Sequence, residues 1–414
     1  MADLLPAASA PALTPLPAAK AFIPWPEEPD AAPPAPAPPS SAPPRLLLYL
    51  LAALMVFTGS TGPTWFKLMG PQPHPFVKTF WRMFNSFLLQ LPLAALEIYR
   101  GRWSRGRLRA YLASQTLRAL PVGALMSLHF CCVSGAVART SFAHAMVCIN
   151  TAPLFFTLAF AARHALSRLL AAPAAHALLA EAPPGAPPAP AQQPPLALPF
   201  FHPARSQLPS SLEVAGCALA FGGVCALVSL DAAAASSAAD VPASALGDAL
   251  GLGASLFMAL YLCGGALRLP DTPLFCWTCL IHLSAAAVAA ALALAAGAST
   301  GLEANGLLGA WAGGGPSAGT AGAVLVPSLV AHSLINFLTP EARLGPFLVS
   351  MVMNAQPLTG GVFGWAVGVQ GQPSALSLLC APLVICGMVF TSLGKQGTTW
   401  GGLWAWARRA VGGA

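Results

Sequence analysis

The sequence predicts an all-α membrane protein with ten transmembrane helices in two inverted five-helix repeats. Three observations carry this. Of 414 residues, 56% are hydrophobic and 8% charged, against about 25% charged in an ordinary soluble domain. Apolar runs long enough to cross a bilayer, about 17–25 residues, recur ten times, and a short proline motif returns in the fourth and ninth. So few charges could not cover the surface of soluble domains, which argues against a soluble enzyme. Proline, at 42 residues, is about twice as common as average, and it is segregated: 14 lie in 1–45 and 11 in 163–210.

In chain order, 1–45 is a Pro/Ala-rich tail whose composition favours extended or disordered chain and builds no core. It has no basic segment followed by an unbroken apolar stretch, so a cleaved signal peptide is not supported. Asp3, Glu27, Glu28 and Asp30 argue against an organelle transit peptide. The spans fall at 46–68, 76–98, 119–137, 141–161, 211–230, 247–266, 274–296, 320–338, 345–368 and 374–394. Ala138, Arg139 and Thr140 leave room only for a tight hairpin between spans three and four. The first repeat is therefore 46–162, completed by 211–230 after a disordered Pro/Ala-rich cytoplasmic insertion at 163–210. The second repeat is 247–394. In the cytoplasmic tail 395–414, Trp400, Trp404 and Trp406 beside Arg408 and Arg409 read as an interfacial anchor.

Charge orients the spans. With the N-terminus in the cytoplasm, 16 of the 20 Lys and Arg residues fall in cytoplasmic segments, as the positive-inside rule requires. Arg139 alone falls in an outer loop, while Lys67, Lys78 and Arg82 lie in or at the ends of spans. Both termini are then cytoplasmic, in a multi-pass membrane protein for which the plasma membrane is preferred over an internal or plastid one. The formal charge of +7 reads as topology, and no nucleic-acid partner is expected. All ten cysteines lie inside spans. Cys276 and Cys279 have the spacing of a metal or redox pair, but inside an apolar helix they read as small hydrophobes. No metal, cofactor or catalytic group is expected.

The two halves share wording. Asn150-Thr151-Ala152-Pro153-Leu154 and Asn354-Ala355-Gln356-Pro357-Leu358 are both N-x-x-P-L, each beginning nine residues into its span. His129 precedes Asn150 by 21 residues, and His332 precedes Asn354 by 22. Proline kinks a helix and frees a carbonyl, which a membrane tolerates where a cavity or a neighbouring helix satisfies it. Pro153 and Pro357 are therefore read as paired helix breaks. Inverted repeats place a transporter's site near the midplane between the halves.

At this point the chain resembles the drug/metabolite transporter superfamily, most closely its EamA-type ten-helix members. The resembling stretches are GSTGPTWFKL (59–68), FVKTFWRMF (76–84), ARTSFAHAMVCINTAPLFFTLAF (138–160), LGDALGLGASLFMALYL (246–262) and NAQPLTGGVFGW (354–365). The resemblance covers about 46–162 and 211–394. It implies two five-helix inverted repeats alternating access to a central cavity, and export of amino acids, metabolites or drugs. Two departures stand out. The 163–210 insertion replaces a short turn, and the second half lacks an intramembrane Lys or Arg, which disfavours the sugar-phosphate and triose-phosphate branches.

The expected partners are a small-molecule solute and the lipid bilayer. An ionisable side chain inside a bilayer costs ~2.5–3.5 kcal/mol on insertion scales, so it faces a cavity or a partner. Lys78, Arg82, Ser86 and Gln90 share one face of span two. Lys67 and Lys78 either form a basic vestibule or snorkel to headgroups. Arg82 either touches solute or makes a structural bond, with Asp248 as one partner to consider. Ser328, His332 and Asn336 share a face of span eight, with His129 as counterpart in span three. The histidines either line the cavity and exchange protons or bond between helices. Asn150 and Asn354, flanking the breaks, are the leading candidates for solute contact, with Gln356 a companion. Gly216, Gly222, Gly223 and Gly387 suit spans five and ten to close packing, including in a homodimer. Two other classes compete: a receptor or scaffold acting through the proline tracts, and a membrane-embedded transferase. The scattered histidines supply no catalytic cluster for the latter.

Overall fold

Every predicted span contains helix, and no strand forms among the described residues. The structure is a computed structural model that describes residues 44–162, 165, 210–234, 244–268, 272–311, 317–339, 344–369, 371–372, 375 and 379–412. The proline tracts read at 1–45 and 163–210 lie almost wholly outside the described residues.

Helix α1 (Arg45–Leu68) starts after Pro44. Helix α2 (Pro75–Arg100) starts on a proline, where the missing N–H costs nothing, and the His74 ring accepts from the Phe76 N–H. Helix α3 (Arg105–Arg139) begins where Ser104 Oγ caps the Arg107 N–H. Its 35 residues make it about 52 Å long, well beyond a hydrocarbon core of about 30 Å. Arg105, Arg107, Arg109 and Arg118 thus ride on its first turns and not in a loop, which hydropathy alone could not reveal.

Span four divides into α4 (Phe142–Ile149) and α5 (152–162), and span nine into α11 (Pro346–Met353) and α12 (Gln356–Ala366). Between them lie α6 (Ser211–Ala234), α7 (Ala245–Gly264) and α8 (Leu274–Ala295). Span eight is composite: α9 (Ser317–Ala323), a π-helical segment (Val324–Ala331) and α10 (His332–Leu338). Gly345, with φ +78° and ψ 158°, takes a conformation essentially reserved for glycine and launches α11. Helices α13 (Ala381–Lys395) and α14 (Trp400–Gly412) complete the chain, the last carrying the tryptophans of the tail.

Among the described residues, six helical stretches are long and apolar enough to cross a membrane: Leu46–Leu68, Arg105–Arg139, His144–Ala162, Ala245–Gly264, Leu274–Ala295 and Gly319–Leu338. The apolar parts of α6 and α13 are shorter. Helix α2 carries Lys78, Arg82, Ser86 and Gln90, all of them buried. Large apolar side chains such as Leu50, Phe57, Leu158 and Ile385 stand on the outside, the arrangement a bilayer favours.

The most extensive helix pairs are α2 with α8 and α6 with α13, followed by α3 with α7 and α8. Helix α1 packs on α12 and the π segment, and α4 on α7. Helices α6 and α13 meet backbone to backbone. A Cβ on Gly387 would lie 2.4 Å from Ala220 N, and one on Gly216 would lie 2.6 Å from Gly387 O. Of the glycines expected to let spans five and ten pack closely, Gly216, Gly223 and Gly387 do so against each other's helices within the chain, and Gly222 has nothing within 4 Å. Cys276 and Cys279 sit in an apolar cluster with Ala94 and Tyr111, as small hydrophobes.

Candidate functional site

The two N-x-x-P-L motifs do break their helices, but ahead of the prolines. Proline has no N–H to bond the carbonyl four residues back, and it suits the first turn of a helix, where that N–H has no partner. Accordingly α5 starts at 152 and α12 at Gln356, each with its proline in second place. The breaks fall at Asn150-Thr151 and Asn354-Ala355.

Beside the first break lies an internal cavity of about 40 Å³, room for about three water molecules. Gly59, Gly62 and Pro63 of α1, Arg82 of α2, His129 and Phe130 of α3, and Asn150 line it from the first half. Pro327, His332, Ser350 and Gln356 line it from the second. Five of the seven predicted site residues therefore converge here: Arg82, His129, Asn150, His332 and Gln356.

Arg82 is 1% exposed. Its Nε–H donates to Ser328 Oγ at 2.9 Å, and the guanidinium lies 3.7 Å from the Phe130 ring centroid. Gly62 permits this approach, since a Cβ there would sit 3.3 Å from Nη1. The Ser328 hydroxyl donates in turn to the Ala323 carbonyl at 3.1 Å. In a regular helix that carbonyl would accept from residue 327, but Pro327 has no N–H. The hydroxyl's proton is thereby committed, so Ser328 can only accept from Arg82. No pairing of Arg82 with Asp248 occurs. Asp248 accepts from Thr140 Oγ1 at 2.9 Å and lies 3.5 Å from His144 Nδ1, fastening the start of α7 to the α3–α4 corner.

His129 Nδ1 lies 2.7 Å from the Ala254 carbonyl; a carbonyl only accepts, so Nδ1 carries the hydrogen. The His332 ring packs on Phe130, Tyr261 and His282, and its Nδ1 has no hydrogen-bond partner among the described residues. His282 was not foreseen. Its Nδ1 donates to the Thr278 carbonyl at 2.7 Å, its Nε2 has no partner among the described residues, and its ring centroid is 5.8 Å from that of His332. It has no counterpart in the first half and no motif around it, and its place inside span seven as an ionisable side chain was the one usable cue. Gly59, Pro63 and Pro327 were also missed, although a proline in mid-span was a usable cue.

Two predicted residues stand outside the lining. The Asn336 amide donates to Tyr261 Oη at 2.8 Å and to the His332 carbonyl at 2.9 Å, and accepts from Trp277 Nε1 at 3.2 Å. It is a structural hub joining α7, α8 and α10. Asn354 is buried at the end of α11 with its Nδ2 on Met351 Sδ at 3.9 Å. Asn150, by contrast, donates Nδ2 to the Met146 carbonyl at 2.7 Å and faces the cavity. Lys78 neither snorkels nor opens a vestibule: it is buried, and Nζ donates to the Gly70 and Phe66 carbonyls at the end of α1. A cation is favoured there by the helix dipole. Lys67 Nζ lies 5.7 Å from the Phe142 ring centroid.

The sequence matches no family model and no curated protein. Seven solved chains match in fold. One, a crystal structure described only as that of a protein, aligns over 86% of this chain and 100% of its own length, at 16% identity and a TM-score of 0.52. At that identity the likeness shows the fold alone.

Proposed function

We propose that this chain is a transmembrane transporter of small organic solutes. Ten spans would form two inverted five-helix repeats of the EamA type, alternating access to the cavity described above. The observation that carries this reading is the cavity itself, lined by polar groups from both halves beside a broken helix. Packing symmetry adds support. Numbering the spans one to ten, a shift of five maps the strongest pairs, two with seven and five with ten, onto themselves. It also exchanges one–nine with six–four, three–six with eight–one, and three–seven with eight–two, all of which are in contact. Two halves related in this way can swap conformations about a shared site.

The test is reconstitution of the full chain in liposomes with a panel of radiolabelled amino acids, organic acids and nucleosides. At least one solute should move, and Asn150→Ala and Gln356→Ala should slow it while melting like the wild type. Folded protein that moves none of the panel overturns the reading. Tags inserted at residues 190 and 310 should label from opposite faces; labelling from one face would remove the ten-span topology.

A further inference from the structure

We infer that the cavity binds a small monoanionic solute, an organic carboxylate, on the guanidinium of Arg82. This rests on the transporter reading for its purpose, but the binding itself can be tested apart from transport. Arg82 is a fully buried cation whose Nη1 makes no hydrogen bond among the described residues. A buried charge is retained only at high cost unless it is paired and hydrogen-bonded.

No described carboxylate serves it. Glu97 accepts from the Cys276 N–H, Glu213 from the Ser210 N–H, Asp248 from Thr140, and Glu303 from Ser299. The neighbours are aromatic: Phe130 and Phe66 face the guanidinium, and His129 commits its Nδ1–H to Ala254. None of these supplies a negative charge.

The geometry narrows the class. Ser328 occupies Nε, so the two terminal nitrogens remain, and their fork matches a carboxylate end-on. A phosphate dianion would want a second cation, and Lys78 is spent on the Phe66 and Gly70 carbonyls. Space for about three waters suits a body of about four non-hydrogen atoms in this conformation. Acetate has that size, and acetamide is its neutral isostere.

The experiment is thermal denaturation and calorimetric titration of the purified full chain with sodium acetate, acetamide and, against a sulfonate buffer, sodium chloride. Acetate should raise the melting temperature and bind about tenfold or more tightly than acetamide, a margin typical of a charge-assisted contact. Arg82→Gln should abolish that preference, and Arg82→Lys should weaken it. Equal binding of acetate and acetamide by the wild type refutes the proposal, even if neither variant folds. An acetate preference that survives Arg82→Gln also refutes it, as does stabilisation by chloride alone, which would mark an inorganic ion site. Acetate binding lost with Arg82 but without flux in liposomes would uphold the site and overturn the transporter reading. Arg82-independent flux of neutral solutes would do the reverse.

Discussion

Replacing Gly387 by alanine should destabilise the protein, while the same change at Gly222 should not. A methyl at 387 would meet Ala220 N at 2.4 Å, Gly216 O at 2.5 Å and Ala220 Cα at 2.7 Å, whereas ordinary Cβ contacts begin at 3.4 Å. All three obstacles are backbone, so no side chain can swing aside, and α6 and α13 must part by about 1 Å. Overpacking of this kind costs about 1–3 kcal/mol, offset by the roughly 0.5–1 kcal/mol that alanine gains over glycine in a helix. The net expectation is a loss of about 1–2 kcal/mol. At Gly222 only the gain applies, because nothing lies within 4 Å. The assay is unfolding of the full chain in mixed micelles of increasing SDS fraction, followed by circular dichroism, with the three proteins compared. If Gly387→Ala unfolds at or above the midpoint of Gly222→Ala, the two helices do not meet through their glycines.

Three further outcomes are expected. Asn336→Ala should lower stability by about 2–4 kcal/mol, since it strands the buried Tyr261 hydroxyl and Trp277 N–H at about 1–3 kcal/mol each. A thermal melt unchanged from wild type would show that the hub is not formed. Ser244→Ala removes the cap on the Gly247 N–H and a bond to the Arg139 carbonyl, and should cost about 1 kcal/mol in the same measurement, with no change in solute affinity. Gly59→Val should close the cavity, because even a Cβ there lies 2.7 Å from Gln356 Nε2. Liposome flux should fall to background while folding persists, and normal flux would place the solute path elsewhere.

Helix identity was legible because long apolar runs determine it: α1 and α8 lie within two residues of the expected spans. Helix α3 was not, since fourteen of its residues precede the apolar run and carry the arginines that hydropathy reads as loop. Both breaks were legible from proline. Which side chain beside each break would face the cavity was not. Asn150 and Asn354 occupy equivalent motif positions, yet only Asn150 lines the space, while Gln356 serves from the other half. Periodicity put His332 and Asn336 on one face correctly. Their division of labour depends on Tyr261 and Trp277, whose proximity arises from tertiary packing and leaves no local trace in the chain.

The π-helical turns of span eight have a mechanical consequence. Each residue of an α-helix advances the chain by about 100° around its axis, and a π segment is wound more slowly by the width of one residue. Tightening Val324–Ala331 to α geometry would therefore swing Ser328 and His332 around the axis relative to α9. Ser328 holds Arg82 by accepting its Nε–H, while its own hydroxyl proton goes to the Ala323 carbonyl. The segment of irregular winding and the aim of the buried cation are thus joined through one side chain, Ser328.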